Sequence, residues 1–203
     1  MTGYSIANLK EMIATLGEEK VKTILSDFSC PLNADVERFL KASAVPFAIQ
    51  GIAATYLVFT SYKGEVVLIG YFTLANKWFT ISKTAKLSNT LRKRITKFCT
   101  FNRELQRYEI SAPLIAQLGK NFAHGYNGLI TGDELLQLAC DRVKAVHMLV
   151  GGKIAYLECE PKATLMDFYA RNGFVVFSER PLDADEHGVL QGDRLMQLLK
   201  YFS

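Results

Sequence analysis

Cys159-Glu160-Pro161-Lys162-Ala163-Thr164-Leu165-Met166-Asp167-Phe168-Tyr169-Ala170-Arg171-Asn172-Gly173-Phe174 sets the end of a buried strand, a short helix and the entry to a further strand in succession. Pro161 suits a first helical turn, where its missing N–H is no loss, and Asn172-Gly173 supplies a left-handed stop. Leu165, Phe168 and Tyr169 then share one helical face at i, i+3 and i+4. From the residues alone, Tyr169 reads as a core aromatic with its hydroxyl at the edge.

Working outward, Lys153 to Glu158 reads as the preceding strand, and Phe174 to Ser178 and Arg194 to Tyr201 as two final strands separated by the polar loop Arg180 to Asp193. Upstream, Thr131-x-x-Glu134 is a capping box directly ahead of Leu135 and Leu136, and Gly151-Gly152 ends the helix it starts. Before it come an apolar strand, Ile110 to Leu118, disturbed by Pro113, and a glycine-bearing loop from Lys120 to Ile130. Thr55 to Thr60 and Glu65 to Thr73 are β-branched and aromatic and form a hairpin at Tyr62-Lys63-Gly64, which Asn76 to Ser82 extends. Residues 5 to 50 read as helices, with Asn33 capping one of them and Pro46 interrupting the region.

Nearly half of the 203 residues are apolar, which suffices for one well-buried core. Met1 to Lys22 carries Lys10, Glu11, Glu18, Glu19 and Lys20, so it lacks the apolar core of a signal peptide, and no apolar run reaches membrane-spanning length. Cys30, Cys99, Cys140 and Cys159 are far apart, and His124, His147 and His187 are scattered, so a cytoplasmic protein with reduced thiols and no metal site is expected. The net charge is +4, but Lys83 to Arg107 holds eight basic residues against Glu104. Ser88 caps a helix there, with Leu91, Ile95 and Phe98 on its inner face. The basic side is either a solvated face or a phosphate-binding surface for nucleic acid or coenzyme.

The stretch 159–174, together with Gly125-Tyr126-Asn127-Gly128-Leu129-Ile130-Thr131-Gly132-Asp133-Glu134-Leu135-Leu136 and Ala116-Gln117-Leu118-Gly119-Lys120-Asn121, resembles the GNAT acetyltransferase superfamily. The resemblance spans about residues 54–201. It implies an α/β (α+β) fold with a mixed, largely antiparallel central sheet and flanking helices for a 54–203 core, while the residues themselves give a helical segment, 1–53, packed on the same domain, and a basic helical insertion at about 83–107. It implies acetyl-CoA as co-substrate, its pyrophosphate on the loop Gly125, Tyr126, Asn127, Gly128, Leu129, Ile130, Thr131 and Gly132. In the family pattern Gly125 stands where Arg or Gln is usual, and Ile130 where a second small residue is usual and where its side chain would crowd the loop. Main-chain groups of Leu118, Gly119 and Lys120 would meet pantetheine and the thioester carbonyl.

By the same resemblance Tyr169 would protonate the departing thiolate, while Glu109 and Glu158, near strand ends, are candidates for the base that takes a proton from the attacking amine. The implied reaction is direct transfer of an acetyl group to a primary amine. Partners would be acetyl-CoA and an amine acceptor, with tRNA and a homodimer as further options and no membrane. The competing class is a GNAT-shaped binding module acting through its basic surface or a protein partner, and a further variant keeps the coenzyme but carries a different acyl group.

Overall fold

A glycine-bearing turn and three side-chain caps set several of the element boundaries. At Lys63-Gly64 both residues take positive φ (51° and 88°), the two-residue turn whose twist matches antiparallel strands, and it joins β2 (Ala54–Tyr62) to β3 (Glu65–Ser82). Asn8 Oδ1 accepts from Lys10 and Glu11 amides, Asn33 Oδ1 from Asp35 and Val36, and Ser88 Oγ from Leu91, so each starts a helix. The computed structural model describes residues 3–184, 186–187 and 192–203. Of the polar loop expected over 180–193, positions 185 and 188–191 therefore lie outside the described residues.

The remaining elements are β1 (Ser5–Asn8), α1 (Leu9–Leu16), α2 (Glu18–Ser26), α3 (Ala34–Arg38), α4 (Ala44–Gln50), α5 (Asn89–Ile95), β4 (Thr100–Asn102), β5 (Arg107–Lys120), α6 (Gly132–Val150), β6 (Ile154–Cys159), α7 (Ala163–Arg171), β7 (Val175–Pro181) and β8 (Arg194–Tyr201). Two compact units divide them. Unit 1 is Met1–Ala75 with Ala116–Ala139, and unit 2 is Asn76–Ile115 with Cys140–Ser203.

In unit 1 the strand order is β1-β2-β3-β5. β1 and β2 pair antiparallel, as do β2 and β3, and a bulge sits where Val58↔Gly70 gives way to Phe59↔Leu68. One core cluster gathers Leu9, Val21, Leu25, Phe28, Leu40, Leu57 and Tyr71 between helices and strands. The Tyr71 hydroxyl donates to the Val36 carbonyl at 2.6 Å inside it.

In unit 2 the order is β3-β5-β6-β8-β7, with β4 antiparallel on β5. β6 pairs with β5 in parallel at Leu114↔Tyr156 and with β8 antiparallel from Ile154↔Tyr201 to Cys159↔Met196. Its core stacks Phe79 on Tyr156 with centroids 4.1 Å apart, and Ile95 of α5 is buried beside Ile81 and Ile110. Among the described residues no helix is long and apolar enough to cross a membrane.

Five expectations need correction. Residues 5–8 are a strand rather than a helix, because an extended Ser5–Asn8 can complete the ladder along Tyr56–Phe59. Pro46 lies inside the first turn of α4, where a missing N–H is tolerated, and a wide π-type turn at Phe39–Ser43 leads into it. Pro113 does not disturb β5, which runs through it to Lys120. Pro161 precedes the α7 N-cap, Lys162, instead of entering the first turn. The basic insertion is helical only over 89–98 and continues as β4 and a turn.

Gly119 is in β5 because nothing larger fits: a Cβ there would lie 2.3 Å from Val36 Cγ1 and 3.4 Å from Phe28 and Tyr71 rings. Gly119→Ala should lower stability by about 1–3 kcal/mol through overpacking, read as a fall in the urea midpoint with the slope unchanged.

Candidate functional site

The loop leaving β5 is shaped by Asn121, which is 2% exposed. Its Oδ1 accepts from the Ser29 and Ala123 amides (both 3.0 Å), and its Nδ2 donates to the Leu68 carbonyl at 2.9 Å. The chain then makes a tight 3-10 run, Ala123–Gly128, in which His124 (φ 53°) and Gly125 (φ 75°) are left-handed. A left-handed backbone explains glycine at 125, since Arg or Gln would be strained there.

Lys120 Nζ donates to the carbonyls of Asn127 (2.8 Å) and Ile130 (3.2 Å), which draws those oxygens to one side of the loop. Tyr4, which the sequence reading passed over, donates to the Leu129 carbonyl. Ile130 is 2% exposed, so its side chain belongs to the core and does not crowd the loop surface as expected. A Cβ on Gly128 would meet nothing within 4 Å.

The capping box forms as read: Glu134 Oε2 accepts from the Thr131 amide (2.8 Å) and hydroxyl (2.7 Å), and Thr131 Oγ1 accepts from the Glu134 amide (3.1 Å). These bonds from the Thr131 backbone and hydroxyl hold the Glu134 carboxyl below its ordinary pKa. Lys120, the open Gly128 and the α6 N-terminus suit an anion, and Asp133 and Glu134 add negative charge to the same helix turn.

In unit 2, Tyr169 lies on α7 with its ring edge-on to Phe168 (4.9 Å) and Phe174 (5.9 Å). Burial, and secondarily the Cys159 thiol, push its pKa well up, so the phenol is neutral. Its hydroxyl has no protein partner among the described residues, yet no fully buried side-chain polar atom lacks one, so the O–H is open to a ligand. Cys159 is buried beside Met166, and burial raises its pKa to about 11, so it is a protonated thiol and no nucleophile.

Glu158 is held on every side. Arg180 donates to it through Nε (2.9 Å) and Nη2 (2.7 Å), Gln197 Nε2 donates at 3.2 Å, and the Tyr156 hydroxyl donates to the same Oε1. Burial alone would raise the Glu158 pKa; the hydrogen bonds from Arg180 and Tyr156 and the Arg180 charge outweigh it and hold the carboxyl low. Arg180 also grips Glu186 through two 2.7 Å bonds and donates to the Pro181 carbonyl, so all five of its N–H groups are used. Glu109 instead accepts from Asn102 Nδ2 at 2.8 Å. Taking the Leu114↔Tyr156 register, Glu109 lies five residues before the pair and Glu158 two after it. The two carboxylates are thus separated by about 23 Å along the strands, and one site cannot use both. Nothing in the spacing of Glu158, Arg180, Glu186 and Gln197 announced their meeting, which depends on the β6–β8 register.

No protein-family model matches this sequence, and no curated protein matches it. Solved structures do. AtaT complexed with acetyl-methionyl-tRNAfMet is 16% identical, with 96% of this chain and 94% of that one covered at a TM-score of 0.62. A tyrosine-to-phenylalanine variant of KacT is 16% identical over 96% and 93%, at 0.61. AtaTR bound with acetyl-CoA is 17% identical over 97% and 93%, at 0.55. The fold of this chain is the GNAT acetyltransferase fold, with the mixed, largely antiparallel sheet and flanking helices expected of it.

Replacing Arg180 by Met should leave Glu158 buried without its cation. The Glu158 carboxyl, held low in the native protein, should then titrate higher than it does there, because burial is opposed only by the bonds from Tyr156 and Gln197; carboxyl-carbon NMR titration reads this directly. In the native protein the stability contributed by the Glu158 and Glu186 carboxylates is present above their unfolded pKa of about 4.3 and lost as pH falls through the lower folded values; Arg180→Met should abolish that loss and cost roughly 3 kcal/mol near neutral pH.

Proposed function

We propose that this protein transfers an acetyl group from acetyl-CoA to a primary amine. The observation that carries this reading is the Tyr169 hydroxyl, neutral and without a hydrogen-bond partner among the described residues, on the helix that follows β6. A neutral phenol can give its proton to a thiolate as the C–S bond breaks, and it sits in an apolar wall without the cost of a charge. Tyrosine-to-phenylalanine variants of both KacT and AtaT have been solved, which makes the same change informative here.

In the proposed reaction the amine nitrogen attacks the thioester carbonyl carbon. The developing oxyanion is met by main-chain amides of Leu118, Gly119 and Lys120, and the departing sulfur takes the Tyr169 proton. Residues Gly125 to Gly132 would hold the coenzyme diphosphate; Lys120, by engaging the Asn127 and Ile130 carbonyls, leaves the loop's other side to its amides. The amine must lose a proton. Glu158 is the nearer of the two carboxylates to the α7 end of β6, but its bonds to Arg180, Tyr156 and Gln197 suit it to fixing charge and orientation, so we assign proton removal to water beside it.

For the acceptor, we propose the amine of an aminoacyl-RNA. AtaT is known with acetyl-methionyl-tRNAfMet, and this chain carries a basic segment from Lys83 to Arg107. Asp133 and Glu134 at the start of α6 favour the alternative of a binding module, because two carboxylates oppose a diphosphate there.

Calorimetric titration with acetyl-CoA decides between these: micromolar binding is expected, and no binding at millimolar ligand would leave the binding module. Tyr169→Phe should lower kcat by about 100-fold or more while leaving acetyl-CoA affinity unchanged; an unaltered rate removes Tyr169 from the chemistry. Gly128→Trp should weaken acetyl-CoA by at least roughly tenfold, and unchanged affinity would mean the diphosphate sits elsewhere.

A further inference from the structure

Lys22, Arg38, Lys41, Lys144, Lys162, Arg180 and Arg194 each meet a carboxylate within 4.0 Å. None of the eight basic residues between Lys83 and Arg107 does so among the described residues, and Glu104, the one acid of that segment, lies exposed. An uncompensated charge of this size on one short segment attracts a polyanion.

Three of the eight have local duties, Arg107 by donating to the Thr80 hydroxyl at 3.3 Å. Arg92 closes the segment's entry by donating to the Lys83 and Ala85 carbonyls, both at 2.6 Å, and Arg94 lies over the Tyr201 ring at 5.5 Å. Lys86, Lys93, Lys97 and Arg103 point to solvent. Among them stand aromatic rings that the core has not absorbed. Phe98 is 38% exposed and packs on Tyr201, and Phe101 is 36% exposed, 4.9 Å from Tyr108 with Lys83 Nζ over its ring at 6.0 Å.

A membrane surface would need the apolar side of α5, but Ile95 on that side is buried in the unit 2 core. A duplex offers phosphates but no free base faces. Unpaired nucleotides offer both, since every base has a π-face and a phosphate beside it.

We propose that residues 83–108 form a binding surface for single-stranded nucleic acid, with Lys86, Lys93, Lys97 and Arg103 meeting phosphates and Phe98 and Phe101 stacking on bases. The surface deepens the aminoacyl-RNA reading, which draws on the same basic segment, and its binding test is read without any acetyl transfer.

Fluorescence anisotropy of the full chain with a labelled oligouridylate of about ten nucleotides tests this. Affinity should fall with salt on a log–log slope of about −3, as for roughly four neutralised phosphates on a single strand, and Lys93→Gln with Lys97→Gln should flatten that slope by about 1.4. Phe98→Ala and Phe101→Ala should each weaken binding about 5- to 100-fold without changing the slope, and Phe101→Trp should retain it. Both Phe variants should keep the native circular dichroism and acetyl-CoA affinity, so loss of acetyl-CoA binding would count against the enzyme reading and not against this surface. The proposal fails if the oligonucleotide does not bind, if Phe98→Ala and Phe101→Ala bind as wild type, or if a duplex of equal length binds more tightly. It fails equally if phosphatidylserine vesicles are bound in preference to the oligonucleotide, or if stoichiometric coenzyme A displaces it, which would give the cations to the coenzyme's phosphates.

Discussion

The buried amide of Asn121 is the constraint on which unit 1 depends. It is a polar group with almost no contact with water, and leaving it unpaired would cost about 1–3 kcal/mol. Its three hydrogen bonds close on the Leu68 carbonyl at the β3 bulge, on the Ser29 amide after α2 and on the Ala123 amide at the start of the loop. The Asn121 amide itself donates to Ile69 at 2.8 Å, and Phe122 to Ser29 at 2.7 Å. The bulge, the helix connection and the exit of β5 are therefore one fastening. From it follow the left-handed turn at His124-Gly125, the reach of Lys120 to the Asn127 and Ile130 carbonyls, and the start of α6.

Unit 2 is organised by charge in a different way. Around Glu158 the charges are buried, paired and saturated: one guanidinium serves two carboxylates with every donor engaged. Such a cluster fixes geometry and resists protonation, which suits holding a strand end and a connection in place better than accepting a proton. Between Lys83 and Arg107 seven of the eight basic side chains are exposed and, among the described residues, none meets a carboxylate, an arrangement of little structural value. Its use lies in what it attracts.

The readable parts of the sequence were those whose physics is local. The Thr131-x-x-Glu134 box, the Lys63-Gly64 turn, the Ser88 and Asn33 caps and the Asn172-Gly173 stop each involve groups within four residues, and each is found where it was read. Pro46, Pro113 and Pro161 were misread because a proline's effect depends on whether its missing N–H had a partner to lose, which only the surrounding pairing decides. Ser5–Asn8 became a strand for a similar reason, since four residues have no stable conformation until Tyr56–Phe59 offers a ladder.

By itself, then, the sequence determined the order of elements, the caps and turns that bound them, the uneven charge, and a tyrosine on a short helix after a buried strand. Tertiary structure alone decided that Ile130 faces the core, that Glu109 and Glu158 are too far apart to share a site, that Arg180 and Gln197 converge on Glu158, and that Asn121 fastens the loop. The physical reason is range. Capping and turn energies act between neighbours in the chain, whereas strand register and burial bring together residues separated by as many as 125 positions, as at Tyr4 and Leu129, and no short stretch of sequence encodes that distance.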